Sequence, residues 1–580
     1  MRKPVEPTGA QNFDVARPDG GKMVQASDFG VSPSSADNVL ALNRVLAHCR
    51  TNGVRRLVIG KGTYRFSADA PILLNGMTNF VFDGAGADFV FHRRRGSSFH
   101  ISGCSRLEMR DFSVDWDWEK DPLASVVEVE AVTGGHVDFR FCHYDEFPKR
   151  DVRVAYVSRW DEVQRAPGVD GKGPGRGFDM AWNGDRTART RTEWLSPNLL
   201  RVFLGRKKVP FDVGERCRMQ HYYYDMGGFV FVRCQDVFLE DVEVKSTPGH
   251  AFLVSGGSRY HLRNVNVRTP EGDVRRIISS TADHFHVARS KGWIKLERCE
   301  FARGGDDCVN VRDGTAYASG SIGAYTVRTA RGNSKKLFSK GDRVELVNAD
   351  YSPTGFIAPV KEVRVVDAAK QVFDVEFDAP LPSSSGEGYV LLNREYGSCN
   401  LILRDCFFHD NRARGVILQS SNATVERCRF LHNESCAMKV TTGWTLKLWC
   451  EGYGATNIVV RDCVFERANG ANRDSQDIYF GTYRRVSSAE CRDACDRAVL
   501  RDVLFDGNSF VDSFALTAFI GSCDNIVFRR NVFRNPTPSK VVRAERGAVR
   551  IVKSSNVRFE GNMWIPSPYA PNAGRLVLEK

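Results

Sequence analysis

The sequence lacks the features that mark several common functional classes. No stretch of its 580 residues approaches the ~20 consecutive apolar residues of a membrane-spanning helix. The opening residues, MRKPVEPTGAQNFDVARPDGGK, are polar and contain no apolar segment of the kind that a signal peptide needs. We therefore expect no membrane span, and we expect residues 1–24 to form a disordered leader.

A concentrated basic surface is also missing. Lys and Arg number 82 against 70 Asp and Glu, which gives a net charge of +12. The basic residues are scattered, and no basic run is interleaved with the aromatic residues typical of nucleic-acid-binding surfaces. We expect no nucleic-acid partner, whereas the positive charge is compatible with an acidic glycan.

The 16 cysteines do not show the two paired spacings of a zinc site. Several occupy the same position of a repeat, where cysteine behaves as a small buried apolar residue, so we expect mostly free thiols. Cys491 and Cys495 are the exception, and the sequence leaves open whether they form a local disulfide or lie as a pair on a helix. We expect neither a metal ion nor another cofactor.

What the sequence does contain is a short repeat of alternating apolar and polar residues. The alternation predicts strands with one buried face. The nine copies are LEMRDFSV (107–114), FLEDVEV (238–244), HLRNVNV (261–267), IKLERCEF (294–301), LILRDCFF (401–408), TVERCRF (424–430), IVVRDCVF (458–465), IVFRRNVF (526–533) and VRFEGNMW (557–564).

Aligning the copies stacks like residues in columns. One column holds Cys299, Cys406, Cys428, Cys463, Asn531 and Asn562, and a second holds Phe301, Phe408, Phe430, Phe465, Phe533 and Trp564. Several successive copies lie 22 to 31 residues apart, which fits one turn of a parallel β-helix with strands ~4.8 Å apart. A leucine-rich repeat would need helices and a leucine pattern that are missing. We predict an all-β fold, a right-handed parallel β-helix.

Two long gaps in the repeat predict inserted domains. The copies ending at Val114 and Val244 are 130 residues apart, and those ending at Phe301 and Phe408 are 107 apart. We expect two small β-barrel domains at 119–224 and 314–394, because turn-rich stretches favour short strands joined by loops. The β-helix would then occupy residues 25–118, 225–313 and 395–580.

The start of the chain predicts a helix that caps the solenoid. Within DFGVSPSSADNVLALNRVLAHC (28–49), Leu40, Leu42, Val45 and Leu46 recur at helical spacing. A helix placed before the first strands would seal the open end of the β-helix, as terminal units of a solenoid must.

Two predicted strand segments carry carboxylates. They are TADHFHV (281–287) and GGDDCVNVRDG (304–314). Asp283 precedes Asp306 by 23 residues, one coil, so neighbouring strands should bring Asp283, Asp306 and Asp307 together. Clustered carboxylates raise one another's pKa, so that one donates a proton while another stays ionised and activates water.

The coil spacing also constrains which aspartate faces which. Neighbouring coils would hold Asp283 ~4.8 Å from one of the paired aspartates, closer than the ~6.5–9.5 Å typical of facing carboxylates in inverting glycosidases. The acid would then be the other aspartate of the pair. Adjacent strand residues point to opposite faces, so the pair needs a bend, which Gly304 and Gly305 supply. The alternative is that the aspartates only cap turns or bind calcium.

The segment ADHFHV followed by GGDDCVNV resembles the catalytic strands of glycoside hydrolase family 110. These are inverting α-1,3-galactosidases that act on blood-group-B-type glycans and interrupt a β-helix with two small barrels. The segment resembles the family 28 polygalacturonases more distantly, because no G-H-G follows the Asp pair. The first hundred residues contain, in order, a DFG segment, a predicted helix, a G-x-Y strand and an F-x-G turn. This order resembles the amino-terminal region of the pectate-lyase-like superfamily. The resemblance covers residue 25 to the end.

The resemblance implies roles for individual residues. Asp306 would be the general acid, and Asp307 with Asp283 would hold and deprotonate the attacking water. Further substrate contacts are expected from His284, His286, Asn310, Arg414, Gln419 and Lys439, and Trp293 and Trp444 are candidates for stacking on a sugar ring. Purely structural roles for the two histidines, and plain surface charge for Lys439, remain alternatives.

We therefore expect an exo-acting, inverting α-galactosidase whose partner is a glycan with terminal α-1,3-linked galactose. One alternative is a hydrolase or lyase of an acidic polysaccharide, which the net charge favours. Another is a non-catalytic β-helix protein that binds glycans. We expect a secreted or periplasmic location, with the signal peptide absent from this sequence, and a homodimer through the barrels is compatible with these features.

Overall fold

The computed structural model describes residues 4–93, 96–179, 190–205, 210–332, 337–384, 386–446, 449–470, 476–484, 495–538 and 545–579. Over these residues the chain is a right-handed parallel β-helix, as the repeat predicted. Two parallel sheets form the walls of the solenoid, and two antiparallel insertions interrupt it. No helix in the described ranges is long and apolar enough to cross a bilayer.

The larger parallel sheet contains the repeat copies. Its strands are Met23–Gln25, Arg56–Val58, Gly62–Phe66, Thr78–Phe91, Ser105–Trp116, Gln235–Val244, Ser258–Val267, Ile294–Glu297, Glu300–Ala302, Leu401–Arg404, Phe407–His409, Ala423–Glu426, Arg429–Leu431, Ala455–Arg461, Val464–Glu466, Leu500–Asp506, Ser509–Val511, Cys523–Arg529, Val532–Arg534, Ser555–Glu560 and Met563–Trp564.

The three aspartates lie just before two strands of the second sheet, Phe285–Ala288 and Val309–Arg312. Its strands are Ile72–Asn75, Ser97–Ser102, Gly227–Val232, Phe252–Ser255, Phe285–Ala288, Val309–Arg312, Val416–Leu418, Met438–Trp444, Gln476–Arg484, Leu516–Gly521, Val549–Val552 and Leu576–Glu579, with Cys450–Glu451 paired antiparallel to one of them. Neighbouring strands lie in parallel register, so a side chain at one position faces its equivalent on the next coil.

The predicted columns form the core of the solenoid. Phe430 stacks on Phe465 with ring centroids 4.9 Å apart, and Phe533 stacks on Trp564 at 3.8 Å. The asparagines form a ladder in which Asn508 donates to Asn531 and Asn531 to Asn562, both at 2.9 Å. Stacked aromatic rings and hydrogen-bonded asparagines therefore hold these coils to one another along the axis.

The cysteines that the structure describes have free thiols, most of them buried in the core. Cys495 is buried, whereas Cys491 lies outside the described residues. A disulfide between them remains a prediction.

The capping helix spans Val39–Thr51 and follows a short 3-10 helix at Ala26–Phe29. Leu42, Val45 and Leu46 are buried as predicted, and the helix packs on the first coil. Leu40 is 73% exposed, so its predicted place in the buried stripe is wrong. Val39 and Cys49 complete the buried face instead, because helical periodicity places them beside Leu42 and Leu46.

The first insertion is an antiparallel sheet. Its eight strands are Ala124–Val132, His136–Phe141, Tyr156–Asp161, Ala166–Pro167, Arg176–Gly177, Thr192–Ser196, Leu199–Phe203 and Arg216–Gln220. Over the residues described in this insertion, the outermost strands do not pair with each other, so that part is an open sheet and not the predicted barrel.

The second insertion is a closed barrel, as expected. Its six strands are Ala316–Ser321, Thr326–Gly332, Arg343–Asn348, Pro353–Asp367, Val372–Phe377 and Tyr389–Asn393. The barrel has its own apolar core, which includes Leu346, Val375 and Leu391.

The amino-terminal segment is not the disordered leader that its polar composition predicted. Residues 4–22 run along the outside of the β-helix from the last coils to the first. Asn457 accepts hydrogen bonds from the backbone of Thr8 and Gly9 at 2.7 and 2.9 Å, and Phe13 is buried against Trp293. Side chains of distant coils supply these partners, so composition alone did not indicate them.

Candidate active site

Asp283, Asp306 and Asp307 form one cluster on the outer face of the second sheet. One carboxylate oxygen from each lies within 4.8 Å of the others. Phe285 pairs with Val309, which is a register of 24 residues, so Asp283 lies beside Asp307 and not beside Asp306 as the 23-residue spacing suggested. Asp306 joins the cluster because the chain bends immediately before it.

Two glycines make this bend possible through close packing. A Cβ on Gly304 would lie 2.6 Å from the His284 ring, and one on Gly305 would lie 2.6 Å from the backbone of Thr281. Any larger residue would therefore displace the strand that carries Asp283 or the turn that carries Asp306. The sequence indicated the glycines correctly, but the reason is different: neither has a positive φ, and the lack of space for a Cβ requires glycine at both positions.

Asp283 is almost fully buried and accepts several hydrogen bonds. The backbone N–H of Asp307 donates to its Oδ1 at 3.1 Å, and His286 Nδ1 lies in hydrogen-bond contact with its Oδ2. Burial and the nearby charge of Asp306 raise the pKa of Asp283 to about 6. Burial lowers the pKa of His286 to about 3 and that of His250 to about 4, so both rings are neutral neighbours.

Asp307 is held by Arg414 from the next coil. The backbone N–H and the Nη1 of Arg414 both lie 3.2 Å from Oδ1 of Asp307, and Asn310 donates to Oδ2 at 3.4 Å. Burial raises the pKa of Asp307 to about 7 with help from the charges of Asp306 and Asp283, although Arg414 opposes the shift. Part of the cluster is therefore protonated near neutral pH.

Asp306 is contacted by two tyrosines that the sequence did not single out. Tyr223 and Tyr224 donate to its Oδ2 at 3.0 and 2.8 Å. Both follow the strand Arg216–Gln220, the last strand of the first insertion. Arg412 lies 4.0 Å from Oδ1 of Asp306 and over the ring of Tyr156. The run of tyrosines just before the chain re-enters the β-helix was the available signal.

The cluster opens into a cavity of about 260 Å³. Of the residues predicted to contact substrate, His286, Asn310, Arg414, Gln419 and Lys439 line it. Trp449, Tyr483 and Glu451 also line it and were not predicted. Gln419 donates to Glu451 at 3.3 Å, and Lys439 lies 5.2 Å from the Tyr479 ring centroid.

Three predicted substrate contacts lie elsewhere. His284 is fully buried behind the site, where its Nε2 bonds the Ser279 hydroxyl at 3.0 Å, because its side chain points to the opposite side of the strand from Asp283. Trp293 packs against Phe13 of the amino-terminal segment. Trp444 is buried and stacks on Tyr317 of the second insertion at 3.8 Å. These three assignments are wrong.

Three arginines that line the cavity lie next to carboxylates of the protein. Arg312 forms an ion pair with Glu451 at 3.1 Å, and Arg414 forms one with Asp307 at 3.2 Å. Arg412 is next to Asp306. These three guanidinium groups therefore neutralise carboxylates of the protein.

Two groups of side chains have the spacing of metal ligands. They are His250 with Asp283 and His286, and the three aspartates themselves. The donor atoms already contact one another, for example His286 Nδ1 and Asp283 Oδ2. The expectation of a metal-free site remains a prediction.

Comparisons with known proteins agree with this picture. Residues 226–332, which include all three aspartates, match the family model "Glycosyl hydrolases family 28", and residues 382–481 match "Right handed beta helix region". The chain is 25% identical to an alpha-1,3-galactosidase A of Shewanella woodyi, over 78% of each chain. It is 24% identical to an alpha-1,3-galactosidase B of Bacteroides thetaiotaomicron, over 76% of this chain and 75% of the relative.

Among solved structures, the chain superposes on a hyperthermoactive exopolygalacturonase from Thermotoga maritima with a TM-score of 0.39 and 12% identity, covering 96% of this chain and 94% of that one. The sequence relatives confirm the resemblance to α-1,3-galactosidases, and together with the family match they support a glycoside hydrolase.

Proposed function

We propose that this chain is an exo-acting α-galactosidase that releases terminal α-1,3-linked galactose from blood-group-B-type glycans with inversion. The observation that carries the proposal is the convergence of three buried carboxylates on one small cavity. Buried carboxylates with raised pKa values supply both forms that glycoside hydrolysis needs, a proton donor and an ionised base. The named function of the sequence relatives supports the choice of galactose.

The size of the cavity supports an exo mode of action. About 260 Å³ is slightly below the ~300–1,000 Å³ typical of small-molecule sites, which suits one terminal sugar residue better than a length of polysaccharide chain. The aglycone would then extend out of the cavity, whose lining includes the half-buried Trp449.

The charge pairing supports a neutral sugar over an acidic one. Among the cations that line the cavity, Arg312 and Arg414 are ion-paired with protein carboxylates, so less positive charge is left for a galacturonate carboxylate. Hydrogen-bonding groups without charge, such as Asn310 and Gln419, suit hydroxyl groups. An acidic polysaccharide, which the net charge of +12 favoured, fits the cavity less well.

In the proposed mechanism Asp306 protonates the glycosidic oxygen, and Asp283 with Asp307 binds and deprotonates the attacking water. The donors that surround Asp283 support its role as a base, because hydrogen bonds to a carboxylate favour the ionised form. Inversion rests on the family resemblance. The oxygens of the cluster lie within 4.8 Å, closer than the ~6.5–9.5 Å usual for inverting pairs, so the anomer of the product is the deciding measurement.

The proposal is tested with a substrate panel. Purified protein is incubated with α-1,3-galactosyl oligosaccharides, with and without a fucose branch, with their β-linked and α-1,4-linked isomers, and with polygalacturonate. We expect release of free galactose from the α-1,3-linked substrates only. Asp306→Asn is the control for contaminating activity. Release of galacturonate, or no release from any galactoside, would overturn the proposal.

A further inference from the structure

Arg218 is a fully buried arginine of the first insertion that contacts the bend before Asp306. It lies on the strand Arg216–Gln220, the last strand of that insertion. Its Nη2 donates to the carbonyl oxygen of Gly304 at 3.0 Å, and its Nη1 donates to that of Arg303 at 3.2 Å. One guanidinium group therefore binds two consecutive carbonyls of the bend that brings Asp306 into the cluster.

The charge of Arg218 has no ion-pair partner among the residues that the structure describes. Burial lowers its pKa to about 9, and the charge of Glu434 opposes this shift, so the guanidinium stays protonated at neutral pH. A buried charge without an ion pair is costly, and an apolar side chain of similar volume usually fills such a space at lower cost. The two carbonyls of the bend are the acceptors that the buried guanidinium binds, which indicates that the contact has a function.

The coils before and after the bend also hold its backbone. The N–H of Gly305 donates to the carbonyl oxygen of Ser280 at 2.7 Å. The amide nitrogen of Asn411, which is fully buried, donates to the carbonyl oxygen of Asp306 and to that of Arg414. These contacts lie within the β-helix. The hydrogen bonds of Arg218 add a contact from the insertion, so the position of the bend depends on both parts of the chain.

The same segment of the insertion also reaches the side chain of Asp306. Tyr223 and Tyr224 follow Arg218 along the chain, and their hydroxyl groups donate to Oδ2 of Asp306 at 3.0 and 2.8 Å. Residues 218–224 therefore contact both the backbone that precedes Asp306 and its carboxyl group. The candidate active site is complete only when the insertion lies against the β-helix.

We propose that Arg218 is a positioning residue that fixes the bend from the first insertion and so directs the carboxyl group of Asp306 at the glycosidic oxygen. The inference rests on the proposed hydrolase function. Arg218 does not line the cavity, so it acts through the backbone and does not touch the sugar. A misplacement of ~1 Å in a reacting group can lower a rate by about 10²-fold. The two hydrogen bonds to the bend should therefore control proton donation more than sugar binding.

Arg218→Met tests the proposal because it removes both hydrogen bonds and keeps most of the side-chain volume. We expect kcat on an α-1,3-linked disaccharide to fall by about 10²-fold with KM within about threefold. An aryl galactoside with a good leaving group needs little protonation, so its kcat should fall by less than about fivefold. Arg218→Lys keeps the charge and one donor, and it should recover part of kcat on the disaccharide.

The ratio of the two kcat losses separates positioning from a purely structural role. Loss of folded protein alone would lower both activities by the same factor. Equal falls in kcat on the disaccharide and on the aryl galactoside would therefore overturn the proposal. If Arg218→Met does not fold, Arg218→Lys gives the same comparison of the two substrates.

Arg546→Met is the matched control. Arg546 is also a buried arginine whose guanidinium donates to backbone carbonyls, those of Ser513 at 2.8 Å and Thr537 at 3.0 Å, and it does not line the cavity. Its replacement should lower the apparent melting temperature but leave the ratio of the two kcat values as in wild type. A changed ratio in Arg546→Met would show that lost stability alone produces the effect, and it would overturn the role of Arg218.

Hydrogen exchange measured by mass spectrometry separates this inference from the proposed function, because it needs no substrate. Peptides that cover residues 303–307 should exchange faster in Arg218→Met than in wild type and should not change in Arg546→Met. Faster exchange at the bend in a protein that hydrolyses no galactoside would support the contact while the proposed function fails. Unchanged exchange at the bend in an active enzyme would overturn the role of Arg218 and leave the function in place.

Discussion

The backbone N–H of Asp307 donates a hydrogen bond to Oδ1 of Asp283 at 3.1 Å, so the two aspartates are neighbours across one step of the parallel sheet. The register fixes this relationship, and the glycines before Asp306 bring the third carboxyl to the same place. The proposed chemistry needs all three carboxyls at this one place.

Replacing Asp306 with Asn should remove the general acid while keeping the shape of the site. We expect kcat on an α-1,3-linked disaccharide to fall by about 10²–10⁴-fold, the usual contribution of general acid catalysis. An aryl galactoside has a good leaving group that needs little protonation. The fall in kcat on this substrate should therefore be much smaller. Asp283→Asn serves as comparison and should slow both substrates alike. Equal losses in Asp306→Asn on the two substrates would contradict the assignment.

The activity should show a bell-shaped dependence on pH. Asp283 must lose its proton to act as a base, and its pKa is raised to about 6, so kcat/KM should fall below this pH. The cluster must also hold one proton for Asp306 to donate. The pKa of Asp307, raised to about 7, indicates that the coupled carboxyls lose a proton near neutrality, so activity should also decline above it. The two apparent pKa values of the pH profile belong to the cluster as a whole and not to single residues. The test measures kcat/KM between pH 5 and 8 at intervals of ~0.5. A value of kcat/KM that does not change with pH over this range would contradict a proton shared within the cluster.

Asp477 provides a test of stability away from the site. It is buried, and burial raises its pKa to about 8, so the folded protein holds a proton that the unfolded chain releases near pH 4. Stability should therefore decrease as the pH rises from about 4 to about 8. Asp477→Asn should abolish this contribution. We expect Asp477→Asn to melt at a higher apparent temperature than wild type at pH 8 and at the same temperature at pH 4. The reverse order would contradict the raised pKa of Asp477.

Gly305→Ala tests the close packing beneath Asp306. The added methyl group would lie 2.6 Å from the Thr281 backbone, so we expect the turn to shift and activity to fall at least about tenfold. The strain should also lower stability by about 1–3 kcal/mol. Gly320→Ala in the second insertion is the control, because nothing lies within 4 Å of its added carbon. Activity in Gly305→Ala equal to that of the control would show that the turn tolerates the methyl group.

The amino-terminal segment should contribute to stability although its composition is polar. Phe13→Ala removes a buried ring that packs on Trp293, so we expect a lower apparent melting temperature and faster proteolysis of residues 4–22. Val5→Ala changes a side chain of the same segment that is 51% exposed and should behave as wild type. Equal proteolysis of the two variants would indicate that the segment is not held by its contacts.

The sequence predicted those parts of the molecule that repeat. The Phe and Asn columns recur at equivalent positions of successive coils, so their stacking followed from alignment alone. The convergence of the aspartates followed in the same way, although the spacing of 23 missed the true register by one residue, because strand pairing and loop length together set the register.

The sequence did not predict contacts between distant segments. Tyr223 and Tyr224 reach the aspartates because the first insertion folds back over the β-helix. The run of tyrosines marks the segment, but it does not indicate which distant side chains they contact. His284 and Trp444 failed as substrate contacts for a related reason. Their residue types suit sugar binding, but the face of the strand and the neighbouring insertion decide where they point.

The most direct test follows the anomer of the sugar released from an α-1,3-galactosyl oligosaccharide by proton NMR during the first minutes of the reaction. The account predicts that β-galactose forms first and then mutarotates, because water bound by Asp283 and Asp307 attacks the face opposite the leaving group. First-formed α-galactose, or undiminished release after all three aspartates are changed to Asn, would contradict it.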